Sequence, residues 1–203
     1  MKRIIVGMSG ASGQIYGIRT LEILKNVDDV ETHLIISPIA KKIIEHETSY
    51  SVEEVESLAD YVYDASDVGA RIASGSFRCH GMVVIPCSIK TASSIAYSLA
   101  NNLITRAADV ILKQRQTLVV VVRETPLHTG HLKILTRLSE IGAVVLPPIP
   151  AFYNKPKSVE DIVDHTVGRV LDFFKIKHKL YDPWQGIYEE TKSDGVSKNN
   201  LLK

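Results

Sequence analysis

Cysteine is scarce in this 203-residue chain: Cys79 and Cys87 are the only two. That is too few for a disulfide framework, and it points to a reducing compartment. Neither sign of charge dominates, with 24 lysines and arginines against 23 aspartates and glutamates, so nothing in the balance calls for nucleic acid or an acidic membrane surface. No apolar run approaches the roughly 20 residues of a membrane span. The opening MKRIIVG also holds too short an apolar stretch for a secretory signal. The seven histidines are scattered. Only His128 and His131 share a helical spacing, and no third ligand stands at a recognisable distance, so no metal centre is expected. A DDxxD-type aspartate cluster is lacking too, since Asp28-Asp29-Val30-Glu31-Thr32 does not make one, and any phosphate must be held by cations and hydroxyls. These exclusions leave a cytoplasmic protein whose partner is a small molecule or another copy of itself.

What is present is a regular alternation. Apolar residues make up 45% of the chain, enough for one domain with a sizeable core. Short β-branched runs at 3–8, 33–37, 82–87, 118–122 and 143–146 predict five strands. They do not alternate with polar residues, so both faces are buried. Helix-period segments lie at 14–25, 38–47, 51–61, 91–100, 102–114, 127–141 and 158–174, and Ser51-x-x-Glu54 has the spacing of a capping box. Strand and helix alternating in this way predict an α/β fold. It should be an open doubly wound parallel sheet, flavodoxin- or Rossmann-like, in three α/β/α layers. One domain is expected over 1–188, followed by a polar, disordered tail over 189–203.

In such a sheet the ligand sits beyond the carboxyl ends of the strands, which turns the strand ends into one list of suspects. The first is GMSGASGQIYG (7–17), between a strand and a helix. Its spacing, Gly7-x-x-Gly10-x-x-Gly13, is not the dinucleotide fingerprint, and the second strand ends in Ser37 where a ribose-binding carboxylate would stand. No lysine follows Gly13, which excludes a P-loop. A tight structural turn accounts for these glycines as well as a ligand does. If there is a ligand, the hydroxyls of Ser9 and Ser12 and the backbone N–H groups should open toward an anion at the helix N-terminus. After the third strand comes PCSIKT (86–91), two hydroxyls and an ammonium at a helix start, suited to a phosphate or to the polar edge of a flavin, though an ordinary N-cap by Ser88 would look the same. Cys87, closing a buried strand, reads as a small apolar residue rather than a nucleophile. The four valines 119–122 deliver Arg123 and Glu124 together to the rim. Glu47 ends a helix where its charge opposes the dipole, which favours solvent unless it has a task. Tyr153, Arg169 and Trp184 each admit a plain reading: a pinned loop, a solvated helix face and a docking aromatic.

Taken together, these residues resemble the UbiX-like flavin prenyltransferases, closest to the branch known as the small subunit of aromatic (phenolic) acid decarboxylases. The matching text is GMSGASGQIYGIR, VETHLIIS, HET, SGSFRCHGMVVIPCSIKT, NNLITRAADVILKQRQTLVVVVRETPL, GAVVLPPIPAFYNKP and SVEDIVDHTVGRVLDFF, running in order to residue 174, with Trp184 beyond it. The resemblance implies a homododecamer that joins a dimethylallyl group from dimethylallyl monophosphate to N5 and C6 of reduced FMN. The product, prenyl-FMN, then serves a separate UbiD-type decarboxylase. Carried over by position, Gly10, Ala11, Ser12, Ser37, Ser88, Ile89, Lys90, Thr91 and Arg123 match FMN-binding residues. Tyr153 and Arg169 match those that hold the prenyl phosphate, with Lys113 as a helper and Trp184 as a further match; Ser12, Glu47 and Glu124 match residues of proton handling. The family often reads HLENM where this chain has HLKIL (131–135), a change expected to affect subunit packing more than chemistry. Two rivals stay open: a cysteine-type FMN-dependent decarboxylase, which resembles PASANT where this chain has PCSIKT, and a non-catalytic FMN-carrying subunit.

Overall fold

The computed structural model describes residues 1–186; the expected tail over 189–203 lies outside the described residues. The chain runs β1 (Lys2–Met8), α1 (Gln14–Lys25), β2 (Val30–Ile36), α2 (Pro38–Glu47), α3 (Val52–Glu56), β3 (Tyr61–Tyr63), a single 3-10 turn (Arg71–Ala73), β4 (Gly81–Cys87), α4 (Ile89–Ala96), α5 (Leu103–Lys113), β5 (Thr117–Val122), α6 (Thr129–Glu140), β6 (Val144–Val145) and α7 (Val159–Phe173). All pairings are parallel. The strand order is β3-β2-β1-β4-β5-β6. This is the doubly wound order in which the chain reverses direction between β1 and β4, opening a crevice at the carboxyl ends of those two strands.

Two apolar layers flank the sheet, as the unbroken apolar strands require. Ile4, Val6 and Met8 of β1 face a layer with Ile18 and Leu21 of α1 and Val167 and Leu171 of α7. Ile5 of the same strand faces the other layer, with Leu103, Ile104 and Ala107 of α5 and Leu138 of α6. Helix α1 lies unusually close to the sheet at Gly17, where a Cβ would stand 2.5 Å from the Ile85 carbonyl oxygen and 2.8 Å from Met8 Cε. A glycine there lets the helix start press down against the crevice.

Among the described residues the sheet has six strands rather than the five expected. The segment predicted as helix over 51–61 keeps its capping box at Ser51 and Glu54 but stops at Glu56. Asp60 is then drawn onto β2: its carboxylate accepts the Thr32 N–H at 2.7 Å and the Thr32 hydroxyl at 2.8 Å, while its own N–H donates to Thr32 Oγ1 at 2.9 Å. Tyr61 follows as an edge strand, its ring stacked 5.0 Å from the buried His33.

Candidate functional site

The crevice between β1 and β4 is stitched by Ser9. This residue is 1% exposed. Its hydroxyl donates to the Pro86 carbonyl at 3.1 Å and accepts the Ser88 N–H at 2.8 Å. The expectation that Ser9 opens toward a ligand is therefore corrected: both hydrogen-bonding functions are spent joining the two strand ends. Gln14, fully buried and unremarked in the sequence, braces the same turn by donating to the carbonyls of Ser9 at 2.9 Å and Ala11 at 2.7 Å. Its Oε1 is buried with no partner among the described residues.

Two helix starts face the crevice. At α4, Ser88 is the N-cap; its Oγ accepts the Thr91 N–H at 3.2 Å and donates to Thr91 Oγ1 at 3.1 Å. The N–H groups of Ile89 and Lys90, the first two of the helix, have no acceptor among the described residues, and such orphan donors favour an anion. At α1, Gly13 caps with φ 94° and no side chain to offer. Glu47, the last residue of α2, supplies what is missing: its Oε2 accepts the Gly13 N–H at 2.8 Å and the Gln14 N–H at 3.3 Å. Partial burial pushes the Glu47 carboxyl up. The Ser12 hydroxyl, those two N–H groups and the Arg123 charge outweigh it and hold the group below its ordinary value. Glu47 is exposed by area yet committed, and at neutral pH it is a proton acceptor.

Ser37, at the end of β2, caps α2 by accepting the Ala40 N–H at 3.3 Å. Arg123 is exposed at the end of β5, and its N–H bonds the Cys87 carbonyl at 3.0 Å. Burial pushes the half-buried Tyr16 hydroxyl of α1 up, and the Arg123 charge only partly opposes it. Glu124 is half-buried beside Arg123, its carboxylate accepting the Thr125 N–H at 3.2 Å. Ser12, Ser37, Glu47, Ser88–Thr91, Arg123 and Glu124 thus share the rim, with Gly10 and Ala11 in the turn between them.

Tyr153, Arg169 and Trp184 also come together, but in a second group. The loop after β6 folds along α7, so that the Tyr153 hydroxyl lies 3.1 Å from His165 Nε2 and its ring meets Trp184 edge-on at 5.6 Å. Arg169 donates to Tyr181 Oη at 3.3 Å and pairs with Asp172 at 3.4 Å. No hydrogen bond, ion pair or ring contact among the described residues joins this group to Glu47, Arg123 or Glu124. Lys113 belongs to neither group within one chain. It ends α5, just before β5 begins at Thr117, and so stands at the amino ends of the strands. It lines a 360 Å³ groove with Tyr97, Asp109 and Arg137. Cys87 is fully buried and its thiol is pushed far up by burial, as expected of a small apolar residue.

The rim fits a mononucleotide. Two unpaired N–H groups and a hydroxyl cap at α4, the Arg123 guanidinium, and a turn left bare at Gly10 supply donors and space. A Cβ on Gly10 would stand 2.2 Å from Ile39 Cγ2 of α2, so glycine lets the turn pack closely against the start of that helix. Fold and rim together define an α/β flavoprotein of the doubly wound type.

A family model described as Flavoprotein matches residues 1–171. The chain is 55% identical over 188 residues to the flavin prenyltransferase UbiX of Escherichia coli K12, covering 92% of this chain and all of that protein. A dodecameric FMN-dependent UbiX-like decarboxylase from Escherichia coli O157:H7 superposes with a TM-score of 0.89 at 49% identity, over 91% of this chain and all of that one. AnUbiX (PadA1), solved with FMN and dimethylallyl pyrophosphate, gives 0.89 at 46% over 91% and 98%. The chain belongs to the Flavoprotein family and, within it, to the UbiX-like flavin prenyltransferases.

Proposed function

We propose that this protein is a flavin prenyltransferase that moves a dimethylallyl group from dimethylallyl monophosphate onto reduced FMN and releases prenyl-FMN. The observation that carries the reading is the rim itself. An anion site at the β1–β4 switch point is bordered by an ionised Glu47 and by Arg123 and Glu124, in a chain 55% identical to a named flavin prenyltransferase. Gly10, Ala11, Ser37 and Ser88–Thr91 hold the mononucleotide, with Arg123 over its polar edge. Reduced FMN supplies the nucleophilic N5 and C6 at which a fourth ring closes.

Breaking an allylic C–O bond develops positive charge on carbon and negative charge on phosphate, so the site needs fixed cations at the leaving group and water kept out. Arg169 and the Tyr153 hydroxyl serve the phosphate. Glu124 donates a proton to it as it departs, and Glu47, steadied by Ser12, accepts the proton lost at N5. Trp184 packs against Tyr153 and walls the donor pocket. Within one chain Lys113 stands at the amino ends of the strands and no contact among the described residues joins Tyr153 or Arg169 to Glu47, Arg123 or Glu124, so a second copy brings them to the rim; a dodecameric relative supports this arrangement.

The protein works in the cytoplasm, as its two free thiols and a reduced flavin substrate suit, and hands its product to a UbiD-type decarboxylase. Anaerobic incubation with reduced FMN and either the mono- or the diphosphate donor, followed by mass spectrometry of the released flavin, tests the proposal. A gain of one dimethylallyl unit, faster with the monophosphate, is expected. An unchanged flavin with both donors would overturn it, and would favour a subunit that only carries FMN.

A further inference from the structure

Tyr153 is held on two sides. Its ring meets His165 edge-on at 5.7 Å and 78°, and Trp184 at 5.6 Å and 77°. Its hydroxyl lies 3.1 Å from His165 Nε2, and that pair can bond in only two ways. Either the hydroxyl donates to a bare Nε2, or a protonated Nε2 donates to the hydroxyl oxygen. In the first arrangement the phenol turns its lone pairs outward and repels an anion. In the second its own proton is free, and the hydroxyl becomes a donor to a phosphate oxygen. His165 Nδ1 has no partner among the described residues that would fix the opposite tautomer.

The surroundings keep His165 in place without charging it. Its ring lies 4.8 Å from that of Tyr181, whose hydroxyl is bound by Asp172 and Arg169. Burial and the neighbouring Arg169 charge both lower its pKa, and Asp172 opposes them. We infer that His165 is a positioning residue: through Nε2–H it turns the Tyr153 hydroxyl proton toward the donor's phosphate. This rests on the reading that Tyr153 and Arg169 bind that phosphate, and it adds a residue that touches neither substrate.

The test is a double-mutant cycle between His165→Ala and Tyr153→Phe, read as KM for dimethylallyl monophosphate, with FMN affinity as control. His165→Ala is expected to raise KM roughly 5- to 10-fold, the worth of one hydrogen bond to an anion-binding group, with kcat changed less than about twofold because the lost contact is one of binding. In the Tyr153→Phe background the same change should add nothing. His165→Gln, whose amide nitrogen reaches the Nε2 position, should restore KM, whereas the shorter His165→Asn should not. Equal losses from His165→Ala in both backgrounds, or a Gln variant as poor as Ala, would overturn the inference. If the wild-type protein makes no prenyl-FMN, it is the functional proposal that fails. The cycle is then read on calorimetric binding of inorganic phosphate, with the same criteria.

Discussion

Neutralising Glu47 separates its structural part from its chemical one. Helix α1 starts at a glycine with no side-chain cap, and the Glu47 carboxylate accepts the Gly13 and Gln14 N–H groups in its place, at 2.8 and 3.3 Å. Losing a side-chain cap costs about 0.5–2 kcal/mol, and an anion at a helix N-terminus contributes about 0.3–1 kcal/mol. Glu47→Gln keeps one acceptor oxygen and loses the charge, so a loss of about 0.5 kcal/mol is expected after solvent screening of an exposed side chain. Glu47→Ala loses both and should cost about 1–1.5 kcal/mol. The folded carboxyl lies below the ordinary 4.5, so its contribution is complete above that value and disappears as pH falls through the folded pKa. The gap between wild type and Glu47→Gln should therefore be constant from neutral pH down to the unfolded carboxyl's titration, and close below it. Urea unfolding followed by circular dichroism at pH 7 and at successively more acid pH follows the gap as it closes. The amide cannot accept a proton, so prenyl-FMN formation should fall by about 10²-fold or more. A Gln variant with an unimpaired rate, or a gap that widens in acid, would refute the reasoning.

Other consequences concern the crevice and the buried thiol. Ser9→Ala strands the Ser88 N–H, whereas the Pro86 carbonyl still receives the Ser9 N–H at 3.1 Å. One unsatisfied donor should cost about 1–3 kcal/mol in urea unfolding, together with weaker FMN binding, and a neutral result would mean that the stitch does not set the crevice. Cys87→Ala should retain prenyl transfer within about twofold and lose about 1 kcal/mol of stability from the small cavity, and native Cys87 should resist alkylation by iodoacetamide. Loss of turnover in a folded Cys87→Ala protein would return the thiol to the chemistry.

The parts legible in the sequence were those carried by local pattern. The apolar runs of β1, β4 and β5 and the helices over 14–25 and 38–47 follow from periodicity, and from them the crevice follows by topology. What escaped was non-local. β3 has three residues and no apolar run, and it exists because Asp60 bonds Thr32 and Tyr61 stacks on His33, partners 28 residues upstream. Glu47 read as solvent-facing because its own helix repels it, while the helix that needs it begins 34 residues earlier at Gly13. Ser9 and Ser12 looked alike in the glycine turn, yet only burial distinguishes the stitch from the exposed hydroxyl that reaches Glu47. Lys113 entered through resemblance alone, and one chain places it at the opposite end of the sheet. His165 carried no signal at all, since its meaning depends on a loop folding back over α7.

Hydrogen–deuterium exchange with and without reduced FMN tests most directly whether the β1–β4 crevice is where the flavin sits. The account predicts protection in peptides spanning 9–14, 37–41 and 87–92, the turn and helix starts that border it. Protection absent there and found instead around 72–80 and 110–116, which line a separate 360 Å³ cleft at the amino ends of the strands, would contradict it.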